Sequence, residues 1–91
     1  RKDWENFKLA FEQIFPDFFD ELYARFPGLT TKELRHCALI RLKIPPHDAA
    51  QIMGISTDSV HKARYRLRKK FGLENSEKLE EFLLTIKRPE N

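Results

Sequence analysis

The stretch Ile55-Ser56-Thr57-Asp58-Ser59-Val60-His61-Lys62-Ala63-Arg64-Tyr65-Arg66-Leu67-Arg68-Lys69-Lys70-Phe71-Gly72 reads as a capped, strongly basic helix. Ser56 carries a short side-chain oxygen that can accept from the first free amides of a helix. Asp58 puts negative charge in the first turn, where the macrodipole favours it, and Gly72 supplies the stop. Val60, Ala63, Leu67 and Phe71 recur at three- and four-residue intervals and form one narrow apolar stripe that must pack on something. At about 100° per residue, the side opposite the stripe carries Asp58, Lys62, Tyr65 and Lys69, flanked by His61, Arg66 and Arg68. The helix has one dry face and one cationic face.

Immediately upstream, Ala49-Ala50-Gln51-Ile52-Met53-Gly54-Ile55-Ser56 reads as a short helix ended by a glycine turn, with the cap of the basic helix two residues later. Helix, tight turn and a second helix with a basic outer face describe a helix-turn-helix.

The charge distribution singles out the same region. The net charge is only +3, but residues 28–73 hold ten Lys/Arg against three Asp/Glu, or +7, while residues 1–27 and 74–91 come to −2 each. Six of those cations fall within residues 62–70. A charge run is ordinarily just a solvated face. Here it coincides with the position a helix-turn-helix presents to an anionic partner, which favours nucleic acid.

Ninety-one residues are enough for one small domain with a single core. A chain that opens on Arg1 rather than Met reads as a piece of a longer protein. No apolar run approaches the roughly 18–20 residues that span a bilayer, and nothing resembles a signal peptide, so direct membrane contact is not expected and a cytoplasmic location is, although the parent protein can be membrane-tethered. The lone Cys37 sits in the apolar run Cys37-Ala38-Leu39-Ile40 and reads as a buried thiol in a reducing compartment.

Taken from the beginning, Trp4, Phe7, Phe11, then Ile14 and Phe15 keep a helical beat, which predicts a first helix over about Asp3 to Ile14. Pro16 suits the first turn of a second helix running to about Phe26, with Phe18, Phe19, Leu22 and Phe26 on its inner face and Pro27-Gly28 as its end. Ten of the eleven aromatic residues can be assigned to packing, so no cofactor is expected. Thr30 and Glu33 make a capping box for a third helix, with Leu29 able to staple it. Its periodic positions are Leu34, Cys37, Ala38, Ile40 or Arg41, and Leu42, and its end lies near Lys43. A fourth helix starts at Pro46 or His47. After the basic helix, Glu74-Asn75-Ser76 reads as a turn and cap for a last helix with Leu79, Phe82, Leu83 and Ile86 inside, ending around Lys87 before Pro89.

No segment alternates like a strand, so the expected fold is all-α with six helices. No metal site is expected: His36 and Cys37 are adjacent and so point to different sides of a helix, and His47 and His61 have no cysteine nearby. There is no glycine-rich phosphate loop and no nucleophile–base pair at usable spacing, so catalysis is not expected.

The residues just described resemble a known family. Leu29-Thr30-x-x-Glu33, Ala49 to Ser56, Ser59-Val60 and Lys70-Phe71-Gly72-Leu73 are similar to the LuxR/GerE-type helix-turn-helix domain of bacterial transcription regulators. Trp4-x-x-Phe7, Phe11, Phe18, Pro27-Gly28-Leu29-Thr30, Leu34, Cys37-Ala38 and Arg64 to Lys70 extend the resemblance to the C-terminal domains of Bacteroidetes-type regulators, which follow tetratricopeptide repeats or a sensor propeller. The resemblance implies an aromatic helical extension over residues 1–28 and a four-helix DNA-binding domain over residues 29–91. It also implies that helix 57–71 enters the major groove of double-stranded DNA, that helix 46–53 supports it, and that the last helix contributes to a homodimer. RNA polymerase is a further partner implied by this role.

Residue by residue, the resemblance puts Thr57, Asp58, His61, Lys62 and Tyr65 at groove-facing, base-reading positions; for Tyr65, packing on its neighbours is the alternative. Arg66, Arg68 and Lys69 then hold phosphates from the flanks, since only side chains facing the groove floor can read bases. Lys32 and Lys43 add phosphate contacts or simply solubilise the surface. Two departures from the family pattern stand out. Pro45-Pro46-His47-Asp48-Ala49-Ala50 replaces Ser/Thr-x-x-Glu-Ile-Ala at the start of the support helix, and a lost cap costs about 1 kcal/mol. Arg64 projects toward the packed side, with either a phosphate or Glu33 within its reach. Two alternatives compete with this reading: a sigma-factor region 4-like module, and a protein-interaction module using the aromatic helices.

Overall fold

Six helices make up the described part of the chain, residues 2–74 and 78–87 of the computed structural model: α1 (Lys2–Ile14), α2 (Phe18–Arg25), α3 (Thr31–Arg41), α4 (Pro46–Met53), α5 (Thr57–Lys70) and α6 (Lys78–Leu84). No strand occurs among the described residues, and none of their helices is long and apolar enough to cross a membrane. The all-α class and the six helices agree with the sequence reading.

The helix starts follow from their caps. Thr30 Oγ1 accepts from the Glu33 amide at 3.1 Å, and the Glu33 carboxylate accepts from the Thr30 amide at 2.9 Å, so the capping box of α3 is complete. Ser56 Oγ accepts from the Ser59 amide at 3.0 Å and caps α5. α4 has no side-chain cap; Pro45 stands in the cap position and Pro46 opens the helix. Proline there lacks an amide that would have had no partner within the helix anyway, which offsets part of the missing cap.

Three helices end in the same two-bond closure. The amides of Ile44, Ile55 and Leu73 reach back to the carbonyls of Leu39, Ala50 and Arg68 at 3.0, 3.0 and 2.8 Å. Each closure needs one residue in the left-handed region. Gly54 (φ 69°) and Gly72 (φ 73°) take it without a Cβ, but at the end of α3 the residue is Lys43, with φ 63°. Lys43→Gly is therefore expected to stabilise the domain by about 0.5–1 kcal/mol, a rise of several degrees in a thermal melt. A lower melting temperature would show that the lysine side chain contributes more than its backbone strain costs.

Four expected boundaries shift. α2 begins at Phe18 rather than Pro16, because Pro16 and Asp17 form the turn out of α1, and it stops at Arg25 rather than Phe26. α3 ends at Arg41, not Lys43, because Lys43 has left the right-handed region. α6 ends at Leu84, where the Thr85 hydroxyl donates to the Phe82 carbonyl at 2.6 Å, instead of reaching Lys87. The Asn75-Ser76 cap and Pro89 lie outside the described residues.

One core joins all but α4. It contains Phe11 of α1, Phe18, Phe19 and Leu22 of α2, Cys37, Ala38 and Ile40 of α3, Leu67 of α5, Phe71 just beyond it, and Leu79 and Leu83 of α6 with Ile86 after it. A smaller cluster of Leu39, Ala49, Ala50 and Val60 seats α4 between α3 and α5. The predicted α5 stripe is thus buried throughout but divided, with Val60 on the α4 side and Leu67 and Phe71 in the main core.

Aromatic rings carry the packing of the extension. Phe11 lies 5.3 Å from Phe18 and 5.1 Å from Phe19 between ring centroids. Phe26, Phe71 and Phe82 tie the ends of α2 and α5 to α6, at 4.7 Å and 4.8 Å for successive rings. Ile14 and Leu42 depart from the expected beat and are exposed, and Tyr23 is exposed as well as Tyr65, so one aromatic fewer than expected serves the packing.

Candidate nucleic-acid interface

α5 stands out from the core as a ridge with a cleft on each side. Asp58, Lys62, Tyr65 and Lys69 form the exposed crest opposite the buried stripe. On the side toward α3, Ser59, Lys62 and Arg66 share a cleft of about 220 Å³ with Thr30, Lys32 and His36. On the other side, His61, Arg64 and Arg68 line a cleft of about 480 Å³ with Pro46 of α4 and Glu80 of α6. A ridge of 14 residues is about 21 Å long, enough to lie along a major groove about 12 Å wide.

The fold separates the ten cations of residues 28–73 into two groups. Four are committed to internal partners. The Arg35 guanidinium sits 4.9 Å from the Trp4 ring and that of Arg41 4.3 Å from the Phe15 ring, so both fasten α3 to the aromatic extension. Lys70 Nζ donates to Glu33 at 2.8 Å, locking the end of α5 to the start of α3. Arg64 is buried, and its guanidinium donates to the Ile44 carbonyl at 3.1 Å. Glu33, one of the two partners drawn for Arg64 from the sequence, is held by Lys70, and Arg64 braces the α3–α4 turn.

The other six are Lys32, Lys43, Lys62, Arg66, Arg68 and Lys69, the same cations singled out in the sequence. Lys62 faces Asp58 at 3.3 Å, and Lys69 lies 5.3 Å from the Tyr65 ring. Both contacts are on the surface and hold the side chains only weakly. Among the described residues, no side-chain hydrogen bond or ion pair holds Lys32, Lys43, Arg66 or Arg68.

Of the expected base-reading residues, Asp58, His61, Lys62 and Tyr65 are exposed and Thr57 is half-buried at the start of α5. Tyr65 is 54 % exposed, so its ring is available to a partner as well as to Lys69. Lys32 and Arg66 meet across one cleft and Arg68 lies at the other. Lys43 does not join Lys32: they occupy opposite ends of α3, about 16 Å apart along its axis.

Two ionisable side chains of α3 lie deep in the protein. Burial pushes the Cys37 thiol up to about 12, with Glu33 adding to the effect, so it is held protonated and is not a nucleophile. His36 is 1 % exposed and neither ring nitrogen has a partner. Burial first, then Arg64, Lys32 and Arg66, lower it to about 4, so the imidazole is neutral at pH 7. Burial raises the Glu33 carboxyl, but Lys70 and the Thr30 cap outweigh it and leave Glu33 below its ordinary value.

The sequence reading missed His36. It read Cys37 as buried but weighed His36 only as a metal ligand, discounted because the two face different sides of a helix, yet α3 is covered over most of its circumference. The unbroken apolar run Cys37 to Ile40 was the available signal, because four successive apolar positions on a helix cannot belong to one narrow face. Among the described residues, no group of three or more His, Cys, Asp or Glu converges as a metal site. Set against protein-family models, curated proteins and solved structures, the chain gives no match in any of the three comparisons.

Proposed function

We propose that this domain binds double-stranded DNA, with α5 in the major groove and α4 supporting it, in the manner of the LuxR/GerE-type domains it resembles. The observation that carries the reading is the division among the cations: those on α3 and α5 not committed to the fold are the ones that border the α5 ridge, apart from Lys43. A surface that was merely solubilising has no reason to concentrate its unpaired charge around one helix. Asp58, His61, Lys62 and Tyr65, with Thr57 behind them, read bases, while Lys32, Arg66, Arg68 and Lys69 hold phosphates. Lys43 contributes at most a peripheral phosphate contact.

The domain then serves as the DNA-binding end of a bacterial transcription regulator and carries out no catalysis. Two copies paired through α6, whose Leu84 is 42 % exposed, would address half-sites about one helical turn apart. RNA polymerase is the partner through which such binding would act.

Chemical-shift mapping with a labelled domain and a random-sequence duplex tests the reading. The expected perturbations centre on residues 57–70 and on Lys32, with α1 and α2 unmoved. Perturbations confined to the aromatic extension or to α6 would overturn it in favour of a protein-docking module.

A further inference from the structure

The cleft between the start of α3 and α5 is more than a gap between surface cations. Lys32 comes from α3, and Lys62 and Arg66 from α5. The imidazole of His36 is buried behind them with both ring nitrogens unpartnered. Glu33 is the only carboxylate lining it among the described residues, and that carboxylate is already held by Lys70 at 2.8 Å and the Thr30 amide at 2.9 Å. Ser59 Oγ accepts from the Ser56 hydroxyl at 3.0 Å, which leaves its own hydroxyl hydrogen for an acceptor in the cleft. The cleft therefore offers several cationic and neutral donors and no uncompensated negative charge.

The geometry points to a phosphate-oxyanion site in which Lys32, Arg66 and Ser59 hold the oxygens and His36 donates to them from below. A phosphate suits this set because it presents several acceptor oxygens to donors arriving from different directions, and a guanidinium pairs with two of them at once. The occupant we assign is one backbone phosphate of the duplex, an assignment that rests on the DNA reading above; a free phosphate ester has the same chemistry. Lys62, whose partner Asp58 is exposed, turns either to this phosphate or to a base edge from its position at the rim.

The site makes binding proton-linked. In the free domain burial first, then the charges of Arg64, Lys32 and Arg66, oppose protonation of His36, and Glu33, which favours it, is neutralised by Lys70. A phosphate placed among them reverses the balance, and the imidazole takes up a proton as the anion enters. Affinity then rises as pH falls through the bound value toward the free one. If the bound imidazole regains an ordinary value near 6.5 from about 4, the affinity gain between about pH 7.5 and 5.5 is about tenfold larger for the parent than for His36→Leu. His47 and His61 are present in both proteins and cancel from that comparison.

The test follows the imidazole resonances of the intact domain by NMR while inorganic phosphate, and separately a duplex, is added at constant ionic strength. Duplex affinity of the parent and His36→Leu is then measured across the pH range. The expected result is a shift of the His36 ring with both probes and the tenfold difference in pH dependence. The phosphate arm needs no variant, so a folding defect in His36→Leu cannot decide the outcome. A duplex bound with an unmoved His36 ring and equal pH dependence overturns the site and leaves the DNA reading standing. A His36 ring shifted by inorganic phosphate in a domain that binds no duplex supports the oxyanion site, with a free phosphate ester as its source, and counts against the DNA reading.

Discussion

Leu67→Ala is expected to destabilise the domain by about 3 kcal/mol and to lower its melting temperature by about 12–24 °C. Leu67 is fully buried and is the one residue within the α5 helix itself that belongs to the main core; Val60 serves the separate α4 cluster and Phe71 lies just past the helix end. Truncation removes three carbons from the main core, which Leu67 shares with residues of α2, α3 and α6 and whose rings already pack on one another, so the void cannot close freely. A domain of this size has a total stability of about 5–15 kcal/mol, so the loss is a large share of it. Leu9→Ala, at an exposed position of α1, is the control and should stay within about 0.5 kcal/mol. A melt of Leu67→Ala within a few degrees of the parent would mean that α5 is held mainly by Val60 and the Lys70–Glu33 pair, contrary to the packing described here.

The contrast between what was legible in the sequence and what was not has a physical basis. The α5 stripe, the Ser56 cap, the Thr30–Glu33 box and the glycine closures at Gly54 and Gly72 depend on residues close together in sequence, and each appears where the spacing puts it. The same holds for the exposed face of α5, which is the complement of its stripe. The misplaced features depend on tertiary partners. Lys43 ends α3 in the left-handed region although nothing local favours a lysine there. Arg64 finds the Ile44 carbonyl, twenty residues away, Arg35 finds the Trp4 ring on the first helix, and Arg41 finds the Phe15 ring just past its end. His36 is buried because α3 lies in the middle of the molecule, in contact with both α5 and α6, and a periodicity argument assumes one buried face only. Charge counting marked the ten cations as a group and the resemblance named six of them; what only the fold reveals is the internal partner that each of the other four has.

The second large effect follows from that separation. Arg66 beside the α5 crest and Lys69 on it have no strong internal partner, so replacing both with alanine should leave the melting temperature nearly unchanged while removing the two phosphate contacts proposed for them. Each contact contributes about 0.9 to the slope of log K against log salt, so the pair contributes about 1.8 and about 60-fold in affinity near 0.1 M salt. Arg35→Ala, which unstacks a guanidinium from Trp4, should do the reverse and lower stability with little change in the slope.

The central claim, that the unpaired cations around α5 are there for duplex DNA, is tested most directly by fluorescence anisotropy of a labelled random-sequence duplex across a salt series, comparing the parent domain with the Arg66→Ala/Lys69→Ala variant. The account predicts binding whose log affinity falls linearly with log salt, and a slope shallower by about 1.8 in the variant. Binding that is insensitive to salt, or a slope the double variant leaves unchanged, would contradict it.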